Sequence, residues 1–218
     1  MKRWLKAGLR GASGDAPIKQ SRLIENKIEP IIKVTYETKG LWDIELQLSN
    51  KQAFNEIEIP NIGQNLVPGE PQVPQEGLYV AIPEGATVQD IKVVKSKKKT
   101  FQLAHQLKPA PEPSRDPSGS PALNPKQEIY DLNEAFPGEL FKNLGVKQIG
   151  DVNVIHLMIY PVQYYPASNK IDLFSQIELE VEYKLSPEKA PLRGGPLRGG
   201  RKRVPAGYDD QILNLDNV

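Results

Sequence analysis

The sequence predicts an all-β fold, a jelly-roll-like β-sandwich with flexible N- and C-terminal tails. Three observations predict it. Apolar and polar residues alternate in short runs, most strictly at Ile177, Leu179, Val181 and Tyr183 between Gln176, Glu178, Glu180 and Glu182. Gly and Pro, 17 and 20 in number, punctuate these runs at the short intervals of a sandwich. The 218 residues, 39% hydrophobic, suffice for one such core.

Residues 1–29 show no sustained period, and a short helix is expected at most within 18–28. The opening Met1-Lys2-Arg3 is basic, but the apolar stretch of about 7–15 residues that marks a signal peptide does not follow. This segment is expected to be a flexible tail. From 31 onward Ile32, Val34 and Tyr36 alternate with Lys33, Thr35 and Glu37. Trp42, Ile44, Leu46 and Leu48 then alternate with Asp43, Glu45 and Gln47, as in two half-buried strands. Gly40 between them predicts a hairpin-like turn.

Further strands are expected at 54–59, ended by Pro60, at 77–82, ended by Pro83, at 87–94 with a bulge at Asp90, and at 100–107. The stretch 107–125 carries Pro109, Pro111, Pro113, Pro117, Pro121 and Pro125. Proline has no N–H to give to a ladder, so an exposed, partly polyproline-like loop is expected, long enough to be functional. Strands resume at 140–149 and at 152–160. The latter is apolar at nearly every position, as suits a central strand covered on both faces. Pro161 and Pro166 bracket a short run, Asn169-Lys170 turns, and the alternating strand 177–183 follows. Beyond Leu185 the apolar pattern ends in a flexible basic linker with a duplicated Pro-Leu-Arg-Gly-Gly. The expected organisation is therefore a tail at 1–29, a sandwich at 30–186 and a basic Gly/Arg linker and tail at 187–218.

Chemistry-bearing motifs are scarce. There is no cysteine, which removes disulfides, thiolate metal sites and a cysteine nucleophile together. The two histidines, His105 and His156, are too few for most histidine metal sites. His156 reads as a hydrogen-bonded residue of the sandwich and His105 as a surface residue. No Gly-x-Ser-x-Gly elbow or phosphate-binding glycine loop is present. Neither enzymatic activity nor a cofactor or metal is expected. A net charge of +1 supplies no field for nucleic acid, and no run of about 18 apolar residues predicts a membrane span. The lysine-rich run 95–99 reads as a solvated turn.

Two segments carry a family likeness. Gly69-Glu70-Pro71-Gln72-Val73-Pro74 leads into an apolar strand, and Pro161-Val162-Gln163-Tyr164-Tyr165-Pro166 lies between two strands. Their order and spacing, with Pro109-Ala110-Pro111-Glu112-Pro113 between them, resemble the propeptide domain of gingipain-type cysteine peptidases over roughly 31–185. That resemblance implies a non-catalytic prodomain of an extracellular or cell-surface peptidase, with the cognate catalytic domain as its partner. It implies assistance in folding and latency until cleavage. Gingipain-type enzymes prefer Arg or Lys before the cut, so Arg115, flanked by Pro113 and Asp116, is the candidate inhibitory segment. Arg198, Arg201, Lys202 and Arg203 are the candidate processing site. The alternative is a stand-alone sandwich that binds carbohydrate or a protein through Tyr160, Tyr164 and Tyr165.

Overall fold

The computed structural model describes residues 1–8, 13–24, 30–48, 51–113, 122–185, 203–208 and 211–215. Among the described residues, thirteen strands, one α-helical turn and one 3-10 turn run in the order β1 (Lys2–Lys6), β2 (Ile18–Ile24), β3 (Ile31–Glu37), β4 (Gly40–Gln47), β5 (Ala53–Glu58), β6 (Gly63–Gln64), β7 (Pro74–Ile82), β8 (Ala86–Gln102), α1 (Gln127–Tyr130), β9 (Phe141–Ile149), β10 (Val152–Ile159), β11 (Val162–Tyr165), the 3-10 turn (Pro166–Ser168), β12 (Lys170–Leu185) and β13 (Ile212–Leu213).

Strand β12 organises the first sheet. Its early residues pair with β11 and its later ones with β3, while β8 runs along its whole other edge; β2 extends the sheet beyond β3. The second sheet has the order β13-β7-β10-β9, with β6 also on β7. The period-two pattern of β12 sets how the two sheets stack. Ile177, Leu179, Val181 and Tyr183 are buried and meet Leu78, Val80 and Ile82 of β7 and Ile155, Leu157 and Ile159 of β10. The outward glutamates form cross-strand ion pairs, Glu178 with Lys95 at 3.1 Å, Glu180 with Lys33 at 3.3 Å, and Glu182 with Lys92. A third sheet, β1-β4-β5, packs Leu5, Leu41 and Ile57 against Val162, Tyr164, Ile171 and Leu173. The all-β sandwich predicted from sequence is the fold observed.

Several elements differ from expectation. Residues 18–24 form strand β2 on β3 rather than a helix, and residues 2–6 form β1 on β4 rather than a tail. Strand β1 gains its backbone partner from a strand some way along the chain, and β2 from the next one; in both cases the pairing, which no local period records, decides the conformation. Gly40 does not turn a hairpin. Strands β3 and β4 belong to different sheets, and Thr38 and Lys39 make the corner through bonds from Thr38 N to Ser175 O and from Ala7 N to Lys39 O. Strand β4 also takes the opposite phase from the one its apolar residues indicate. Leu41 and Asp43 are buried, whereas Trp42, Ile44 and Leu46 are half-buried.

The expected strands 87–94 and 100–107 are one strand up to Gln102, and the lysine run 95–99 lies within it instead of turning. Pairing with β12 along one side holds it extended from end to end. Its register slips opposite Glu182 and Tyr183, which leaves Gln89 unpaired beside the expected bulge residue Asp90. Among the described residues no helix is long and apolar enough to cross a membrane.

Candidate functional site

The proline-rich excursion leaves the core at Leu107 and returns through Lys126, and both limbs are fixed by backbone bonds to one segment. Gly69 N donates to Ala110 O at 2.9 Å, Ala110 N to Glu70 O at 2.7 Å, and Gln72 N to Lys108 O at 3.0 Å. The returning limb adds Lys126 N to Gly69 O at 2.9 Å, and Glu112 N to Ala122 O at 3.1 Å closes the stem. The Gly69–Pro74 segment is thus the seat of the loop. Gly69 has φ +80°, and a Cβ there would meet Asn124 O at 2.8 Å and Lys126 Cγ at 2.9 Å. Only glycine allows both that conformation and that approach. Glu70 pins the limb further through Lys126 at 3.1 Å and Asn65 Nδ2 at 3.0 Å.

The second segment holds the point of exit. Tyr164 is fully buried, and Tyr130 of α1 packs edge-on against it at 6.3 Å between ring centres. Their hydroxyls bond the N–H and C=O of Leu107. Burial pushes the Tyr164 phenol up to about 12 and that of Tyr130 well above the usual range, so both remain neutral hydrogen-bonding groups near pH 7. Gln163 holds the chain after α1, accepting from Gly138 N at 2.8 Å and donating to Glu139 O at 2.8 Å. A polar chain buried at Asp43 and Asn55 supports the outgoing limb. Arg3 Nε donates to Asp43 Oδ2 at 2.7 Å, Asn55 Nδ2 to Asp43 Oδ1 at 2.6 Å, and His105 N to Asn55 Oδ1 at 2.7 Å.

Of the candidate inhibitory residues, Pro113 is exposed on the outgoing limb, while Arg115 and Asp116 lie outside the described residues, as do Arg198, Arg201 and Lys202. Arg203 is described and exposed; its backbone is bonded to Asp151. The tyrosines proposed as a binding strip do not form one, because Tyr164 is core while Tyr160 and Tyr165 are half-buried. His156 is half-buried, stacks on Tyr79 at 4.7 Å and lies 2.8 Å from Lys147 Nζ through Nδ1. Burial and then the Lys147 charge lower its pKa. Among the described residues no group of acidic and histidine side chains could hold a metal ion.

Sequence reasoning missed Tyr130, Asp43 and Asn55 as parts of the support. Asp43 had a signal, a carboxylate flanked by apolar residues in an alternating run, whose burial demands a partner. Tyr130 had none, because it acts through a fold contact with Leu107.

No curated protein matches the chain. Its fold is similar to a chain from the structure on zymogenic latency of gingipain K from Porphyromonas gingivalis, with TM-score 0.62 and 22% identity, covering 85% of this chain and 100% of that one. It is similar also to a chain from the complex of Porphyromonas gingivalis RgpB pro- and mature domains, with TM-score 0.64 and 18% identity, covering 91% and 98% respectively. The Propeptide_C25 family model matches residues 14–205, and with that span the chain belongs to the Propeptide_C25 family.

Proposed function

We propose that this chain is a non-catalytic prodomain that binds a gingipain-type cysteine endopeptidase domain, assists its folding and keeps it latent until the basic linker is cut. The observation that carries the reading is the doubly anchored stem of the proline-rich loop. A latency segment must be presented to a cleft without collapsing back onto its own domain, and a loop on a rigid scaffold does this. The sandwich supplies the scaffold and the Gly69–Pro74 seat fixes both limbs. Arg115, between Pro113 and Asp116, is the residue offered to an Arg- or Lys-selective pocket. Arg198, Arg201, Lys202 and Arg203 form the processing site. With no cysteine, the chain cannot itself supply the nucleophile of such a peptidase. The family likeness supports a working environment outside the cell or at the cell surface.

The test adds purified domain to the cognate Arg/Lys-selective peptidase and follows hydrolysis of a small substrate. Micromolar domain slows the reaction, and Arg115→Ala weakens the effect while the fold is kept. Unchanged hydrolysis at that concentration overturns the reading.

A further inference from the structure

Residues Ala81, Val152 and Val154 are fully buried although they lie on the face of the β7–β10 sheet turned away from the sandwich core. What covers them is the segment after the basic linker, through Val204, Tyr208, Ile212 and Leu215. We propose that this outer face is a binding site for segment 203–215 that keeps it bound after the linker before it is cut, so that scission and release are separate events. The biological sense of this rests on the prodomain reading above; the contacts themselves do not.

The segment is held at both ends. At its start, Asp151 N donates to Arg203 O at 2.8 Å and Arg203 N donates to Asp151 Oδ2 at 3.1 Å. At its end, Ile212 and Leu213 add β13 as a parallel strand opposite Tyr79 and Val80, and Asn214 Nδ2 donates to Ala81 O at 3.0 Å. Between the two anchors the segment folds on itself, with bonds from Tyr208 N to Pro205 O and from Gln211 N and Ile212 N to Tyr208 O. That turn brings Tyr208 over Tyr79, ring centres 6.1 Å apart, and drops Ile212 onto the sheet with 5% of its surface exposed.

The body is shaped for this occupant. Gly150 has φ +59°, and a Cβ there would run into the Arg203 carbonyl oxygen. The near-continuous apolar run of β10 has the same explanation. Ile155, Leu157 and Ile159 face the core, and Val152 and Val154 face this segment. Strand addition at an exposed edge, with an aliphatic anchor in an apolar site, is a recurring way to capture a peptide. While the linker is intact the contact is intramolecular and favoured by a high effective concentration. After a cut in 186–202 the strand pairing and the apolar anchors alone hold the two pieces together. Whatever continues from this segment then remains attached to the sandwich until β13 peels off β7.

The test uses the full chain with a recognition sequence for a protease of unrelated specificity replacing residues 192–199. The chain is cut and run on a native sizing column at micromolar concentration, with hydrogen exchange read at the β13 amides. The C-terminal piece co-elutes with the body and β13 stays protected. Ile212→Asp in the same background weakens retention by at least about tenfold, since a carboxylate replaces a buried aliphatic group, and the piece elutes alone after the cut. The substitution lies on the released segment, so it does not disturb the sandwich core. A wild-type piece that leaves on cutting overturns the proposal, as does equal retention with Ile212→Asp. No peptidase is present, so failure here leaves the latency reading standing, and a failed inhibition assay leaves the retention standing.

Discussion

The Tyr164 hydroxyl accepts the backbone N–H of Leu107 at 3.2 Å and gives its own hydrogen to Asn169 Oδ1 at 3.0 Å. Tyr130 donates to the carbonyl of the same Leu107 at 2.7 Å. Both polar groups of a fully buried residue are therefore satisfied by side chains at the point where the chain leaves the sandwich. A buried N–H or C=O outside a ladder must find such a partner. Tyr164→Phe leaves the Leu107 N–H unpaired and lowers stability by about 1–3 kcal/mol. Urea unfolding checks this as a shifted midpoint with an unchanged slope, and limited proteolysis of the stem shows where the loosening falls.

Gly69→Ala acts on the seat itself. It forces a positive φ on an L-residue and pushes a methyl group at Asn124 O and Lys126 Cγ. The expected cost is about 1–3 kcal/mol, with a displaced returning limb. Inhibition of the cognate peptidase weakens although Arg115 is intact, which a titration of inhibition against domain concentration reads directly.

Arg115→Ala has the reverse profile. The expected stability stays within about 0.5 kcal/mol of wild type, the usual range for surface substitutions, while inhibitory affinity falls at least about tenfold. Paired unfolding and inhibition curves on the same preparation separate the two effects. A variant that loses both would assign Arg115 to the fold.

Asp172 gives the domain an acid-sensitive limb. It is buried and receives bonds from Lys98 Nζ and Thr100 Oγ1, each at 2.5 Å, and from Tyr165 OH at 3.2 Å. Burial alone would raise its pKa, but those bonds and the Lys98 charge outweigh it and hold the carboxyl below its usual value. A depressed folded pKa contributes stability above the unfolded value of about 3.9, and that contribution is lost as pH falls through the folded one. Asp172→Asn is therefore less stable than wild type near neutral pH, and the gap narrows as pH falls from about 5 to about 2. Thermal melts across that range check the sign.

Strand β8 has no strand beyond it among the described residues, and its edge carries Lys95, Lys97, Lys98 and Lys99. Charged side chains on an open edge discourage pairing between molecules. Replacing Lys95, Lys97 and Lys99 together with threonine keeps the strand and removes that protection. Sizing chromatography over a concentration series then shows self-association that the wild type lacks.

Much of the sandwich was legible because its core strands are amphipathic. The alternation at 177–183 named the buried face of β12, and the proline content of 107–125 located the loop. The apolar β10 run was read as covered on both faces, and it is so at Val152 and Val154, while His156 and Met158 farther along are half-buried. The rest failed for identifiable reasons. Strand β2 is half-buried at best along its length, so no period marks it. Strand β4 was read in the wrong phase because its inward Asp43 is satisfied by Arg3 and Asn55, and neither partner is adjacent in sequence. Strand β13 is two residues long and pairs with a strand more than a hundred positions earlier.

By itself the sequence determined what depends on local chemistry: strand-forming alternation, the proline-rich interruption between strands, the lack of a cysteine nucleophile, and two segments whose likeness named the family. Tertiary structure decided what those segments do. The Gly69–Pro74 segment is a seat and Tyr164 a clamp only because strands distant in sequence bring Lys108, Ala110, Lys126 and Leu107 against them. It also decided that the chain after the basic linker returns to the sheet, since the value of Val204 and Ile212 lies in the apolar face they cover. Hydrogen-bond partners and buried area are properties of pairs, and a linear pattern records only one member of each.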